Sequence, residues 1–69
     1  MTLSEAYLDW MVAEGNHSLV PIHNREGLRV TANAADEAFE QMSAIAFQQG
    51  YDPAGPLGIV EFVMREIAK

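Results

Sequence analysis

No cysteine occurs anywhere in the 69 residues. That absence excludes disulfides, thiolate metal sites and cysteine nucleophiles together, and leaves a short domain without covalent staples. Basic residues are nearly as scarce. Four Lys and Arg stand against ten Asp and Glu, for a formal charge of −6 and a pI near 4.5. Nucleic acid is bound mainly by neutralising its phosphates with Lys and Arg, so free nucleic acid is not the expected partner. Long apolar runs are also missing: none approaches the roughly 18 residues of a membrane span. The start Met1-Thr2-Leu3-Ser4-Glu5 is acidic and leads into no apolar core. Neither a signal peptide nor membrane contact is expected, and the cytoplasm is the expected compartment.

Hydrophobic residues make up 49% of the chain and charged residues 20%, an ordinary globular balance for a single small domain over residues 1–69. A domain this short buries only roughly 60% of the surface its unfolded chain exposes. Self-association, as a homodimer or higher oligomer, or binding to a partner would bury part of the remainder. The acids are unevenly placed. Between Thr31 and Val60 stand Asp36, Glu37, Glu40 and Asp52 without one Lys or Arg.

Glycine and proline divide the chain into four pieces. Thr2 to Glu14 reads as a helix: Thr2 and Glu5 have capping-box spacing, and Gly15-Asn16 can turn the chain out of a helix end. Leu3, Ala6, Tyr7, Trp10, Met11 and Ala13 share its apolar face. Leu19 to Ala32 reads as a β-hairpin, with strands Leu19–Ile22 and Leu28–Thr31 around the loop His23–Gly27. Pro21 makes the first strand an edge. Asn33 then caps a helix from Ala34 to Gln49 that ends at Gly50, with Ala35, Ala38, Phe39, Met42, Ile45 and Ala46 on one stripe. After the loop Tyr51–Pro56, Leu57 to Lys69 reads as helix in preference to a strand over Ile59–Ile67. A strand would place Glu61 and Arg65 on one face with Ile59, Val63 and Ile67. The expected fold is α+β and mostly helical, in the order helix, β-hairpin, helix, helix. Its expected core is Leu3, Tyr7, Trp10, Met11, Val20, Ile22, Val30, Phe39, Met42, Ile45, Val60, Val63, Met64 and Ile67.

Chemistry for catalysis is thin. His17 and His23 are the only imidazoles, and their spacing matches no metal motif. Ser4, Ser18 and Ser43 lack the glycines of a nucleophile elbow, and no glycine run forms a phosphate loop. The pairs Glu5 with Asp9 and Glu37 with Glu40 match ordinary exposed helix acids. No enzyme, no cofactor and no metal is expected.

Large apolar residues off the helix stripes are more informative. Leu8 and Val12 lie on the side of Glu5 and Asp9, Phe47 among Asp36, Glu40 and Ser43, and Phe62 beside Glu66. An aromatic or aliphatic anchor ringed by polar groups is how interfaces are commonly built. The candidate partner-binding residues are therefore Leu8, Val12, Asp36, Glu37, Glu40, Phe47 and Phe62.

The run Leu28-Arg29-Val30-Thr31, then a helix over Ala34–Gln49, Gly50-Tyr51 and a helix over Leu57–Ile67, resembles the order of a ribbon-helix-helix repressor. That resemblance implies a homodimeric DNA-binding regulator in which Arg29 and Thr31 point outward from the paired strand, with Arg25 beside them. The net charge of −6 sets this reading second. The first expectation is a small acidic, non-enzymatic protein-binding module, an inhibitor or adaptor acting on a basic, nucleic-acid-handling protein. Small acidic phage-encoded inhibitors of nucleic-acid enzymes offer the compositional analogy.

Overall fold

Two side chains decide where the first helix starts and where the second one does. Thr2 caps helix α1, Leu3–Ser18: the Glu5 amide donates to Thr2 Oγ1 at 3.2 Å and the Thr2 amide donates to Glu5 Oε1 at 3.0 Å. Asn24 caps helix α2, Arg25–Gln48, its Oδ1 accepting from the Gly27 amide at 3.0 Å. Helix α3, Ile59–Ile67, follows Gly58, which supplies no side-chain cap. The computed structural model describes residues 1–69 and contains these three helices and no strand.

The β-hairpin over Leu19–Ala32 is thereby overturned, and with it the α+β fold class and the ribbon of the ribbon-helix-helix order. Its second strand, Leu28–Thr31, forms the first turns of α2. Thr31 makes the local bond typical of a helical threonine, its hydroxyl donating to the Gly27 carbonyl at 2.7 Å. Its first strand is a turn, closed by the Asn24 amide on the Pro21 carbonyl at 2.9 Å. α1 also runs through Gly15 to Ser18 instead of stopping at Glu14. Glycine inside a helix costs only about 1 kcal/mol, whereas proline ends one: Pro21 has no amide to donate and pushes Val20 from helical geometry. Asn33 lies inside α2 and is not its cap.

α2 ends as the glycine indicates. Gly50 takes φ +97°, its amide donates to Phe47 O at 3.1 Å, and the Tyr51 amide donates to Ala46 O at 2.9 Å. Those are the two bonds of a Schellman motif. In the loop that follows, Asp52 Oδ1 accepts from the Ala54 amide and Asp52 O from the Gly55 amide. The Tyr51 hydroxyl donates to Leu57 O at 3.1 Å and ties the loop to the entry of α3. The last helix begins at Ile59 and not at Leu57, and the strand reading of Ile59–Ile67 falls away.

α1 and α2 form an antiparallel hairpin. Trp10 meets Phe39 with ring centroids 5.6 Å apart near its middle, and His17 meets Thr31 towards the turn. At the open end, Leu3 and Ala6 of α1, Met42 and Ala46 of α2 and Val63 of α3 make one buried cluster, with Tyr7, Ile45, Tyr51, Ile59, Val60 and Phe62 packed around it. The half nearest the Leu19–Asn24 turn is only two helices thick. Met11, Ile22, Val30, Met64 and Ile67, all expected in the core, are exposed, and Val20 is half-buried. Ile22 is the extreme case at 89% exposure, because the turn that carries it has no layer above it. No helix is long and apolar enough to cross a membrane.

Candidate protein-binding surface

Without a third layer over the turn-proximal half, one side of the α1–α2 seam stays open as a groove of about 400 Å³. α1 contributes Asp9, Val12, Ala13 and Asn16; α2 contributes Val30, Thr31, Ala34, Glu37, Ala38 and Gln41. The spacing explains the set. Val30, Ala34, Ala38 and Gln41 recur at three- and four-residue steps along α2, and Asp9, Val12, Ala13 and Asn16 do so along α1. Valine and alanine make the floor, Asn16 and Gln41 supply amides, and Asp9 and Glu37 are the only charged residues of the lining. No residue of α3 reaches it.

Near the groove, His17 and Thr31 lock the two helices together. The His17 Nδ1–Thr31 Oγ1 distance is 2.7 Å, and the Thr31 hydroxyl gives its single proton to Gly27 O. His17 Nδ1 is therefore the donor to Thr31 in this arrangement. His23 lies exposed in the turn, well apart from this pair in role.

The residues singled out from the sequence fall in three places. Val12 and Glu37 line the groove. Leu8 is on the outer side of α1, 61% exposed. Asp36, Glu40 and Phe47 share another face of α2, where the half-exposed Phe47 ring stands edge-on to Tyr51 at 5.5 Å. Phe62 meets Tyr51 from the other side at 5.3 Å and packs against the core cluster. Phe47 and Phe62 thus belong to one aromatic row at the open end, remote from Val12. A smaller cavity of about 250 Å³ lies beside that row, between Tyr51, Asp52, Pro56, Leu57 and Phe62.

Arg25, Arg29 and Thr31 do not form an outward strand face. Arg29 pairs with Glu26 at 2.6 Å on the exposed first turn of α2, and Thr31 is engaged with His17 and Gly27. The groove residues Ala13, Asn16, Val30, Ala34, Ala38 and Gln41 were not among the candidates. Their signal is the alanine pair at i and i+4 with Val30 four residues earlier, which becomes a face only once residues 25–33 are helical. The molecule is an all-α protein built on a helical hairpin with an acidic-rimmed groove. The chain matches no protein-family model, no curated protein and no solved structure.

Proposed function

We propose that this is a non-catalytic protein-binding module, an adaptor or inhibitor, that takes an amphipathic helix bearing Lys or Arg into the α1–α2 groove. The observation that carries the reading is the combination in one lining of an apolar valine–alanine floor and the carboxylates of Asp9 and Glu37, with no base among them. A helix laid in such a groove buries its apolar face against small side chains and meets the acids at its polar edge. The alanines leave room for larger anchors from the partner. The chain's charge of −6 would also speed the encounter with a basic protein.

A synthetic four-turn peptide with Leu on one face and Lys on the other is the probe, and its counterpart with Glu in place of Lys is the control. Fluorescence anisotropy is expected to show binding of the Lys peptide that weakens as salt rises, with none of the Glu peptide. Asp9→Asn with Glu37→Gln is expected to weaken binding about tenfold, or about 1.4 kcal/mol. Ala38→Leu fills the floor without changing charge and is expected to abolish it. Equal binding of both peptides, or indifference to Ala38→Leu, would overturn the proposal.

A further inference from the structure

α1 is apolar on two sides, and only one of them is used. Leu3, Ala6, Tyr7 and Trp10 belong to the core or pack against it. On the opposite side Leu8, Val12, Gly15 and Leu19 follow at steps of four, three and four residues, a straight stripe along the helix. Leu8 is 61%, Val12 62% and Leu19 82% exposed. A helix with apolar residues on two sides can bury only one of them against a single neighbour. The chain exposes 4834 Å² at 7.6 kDa, where a folded monomer of that mass exposes about 4,300 Å². The excess, roughly 500 Å² over the whole elongated molecule, is below the ~800 Å² that each partner gives to a standard interface, so the pairing expected is a small and weak one.

Gly15 is the second observation. It sits inside α1, where glycine weakens a helix, and its φ is not positive. A Cβ added there would meet nothing within 4 Å. Nothing in its own chain calls for glycine at that place, and the open space above it has room for a side chain of another molecule.

We propose that a second copy of this chain covers the stripe, with the two α1 helices antiparallel about a two-fold axis. The four–three–four spacing is symmetric about its midpoint. The axis therefore sets Leu8 against Leu19 of the second copy and Val12 against its Gly15, so each valine fills the space above a glycine. The same register brings Asp9 opposite Ser18 and Glu5 opposite the turn at Ile22, so no acid meets an acid. The stripe itself carries no charge, which separates it from the groove: a basic segment gains nothing electrostatic here. The inference does not rest on the groove reading, although Val12 borders both surfaces.

Sedimentation equilibrium of the whole chain tests it. The wild type is expected to dimerise, and more tightly as salt rises, because screening reduces repulsion between two copies of charge −6. Leu8→Glu and Gly15→Leu are each expected to raise the dimer dissociation constant at least tenfold. Gly15→Leu is also expected to leave the melting temperature of the dilute monomer unchanged or raised, since leucine is the better helix former in open space. Ala38→Leu in the groove is expected to leave the dimer intact. In oxidised mixtures, Val12→Cys with Gly15→Cys is expected to cross-link faster than either variant with itself. A chain that stays monomeric at millimolar concentration, a dimer indifferent to Gly15→Leu, or preferential self-cross-linking of Val12→Cys would each overturn the proposal, whatever the peptide experiment shows.

Discussion

Glu5 shows how much one side chain does at the start of α1. Its carboxylate accepts from the Thr2 amide while its own amide donates to the Thr2 hydroxyl. The Thr2 backbone first, and its side chain second, hold the Glu5 carboxyl below its ordinary value. A depressed carboxylate contributes stability that is present above its unfolded value and is lost as pH falls through its folded one. Thermal melts of wild type and Glu5→Gln are therefore expected to differ near neutral pH and to converge in acid. A gap that stays constant across the acid range would rule the linkage out. Phe47 teaches a different lesson at this scale. Helical spacing sets it among Asp36, Glu40 and Ser43, but its neighbour Tyr51 comes from beyond the Gly50 turn, where helical spacing no longer applies.

At the scale of elements, everything turned on residues 19–33. Asn24 and Asn33 both precede plausible helices, and the choice between them separates a hairpin from a long α2. Leu28–Thr31 alternates in a way that a strand would also show, over too few residues to decide. The helix wins because it half-buries Leu28, Thr31 and Ala32, while Asn24 satisfies the free Gly27 amide. Asn24→Ala is expected to cost about 1 kcal/mol as a lost cap. Asn33→Ala is expected to be neutral or to stabilise by up to about 0.5 kcal/mol, since alanine is the better residue inside a helix. Urea denaturation of the two variants measures the difference, and the opposite ranking would place the helix start at Asn33.

The whole molecule is long for its size. Its radius of gyration is 13.4 Å and its extents are 40 × 22 × 16 Å, against about 11 Å for a compact domain of this length. The 24-residue α2 runs nearly end to end, and the three-helix core occupies one half. Met42 and Val63 are the two large side chains that this core buries completely. Met42→Ala is expected to cost about 2–5 kcal/mol. Domains of this size are stable by roughly 3–10 kcal/mol in all, so circular dichroism of that variant is expected to show a largely unfolded population or a sharply lowered melt. A variant as stable as wild type would mean that the core lies elsewhere.

Read alone, the sequence was enough for what depends on neighbours within one or two turns. The Thr2–Glu5 cap, the Gly50 stop and the apolar stripe of residues 35–46 are such features, because caps and periodicity are local. It was also enough for the imbalance of charge, which needs no fold. The tertiary structure alone decided whether residues 25–33 were strand or helix, since that choice depends on α1 lying alongside to receive them. It alone made a groove from Val12, Ala13, Val30, Ala34 and Ala38, residues far apart in the chain. And it alone carried the outward stripe on from Leu8 and Val12, which helical spacing already sets off the core face, to Gly15 and Leu19: that requires α1 to run past Glu14, and a helix packed on a single neighbour buries only one of its sides.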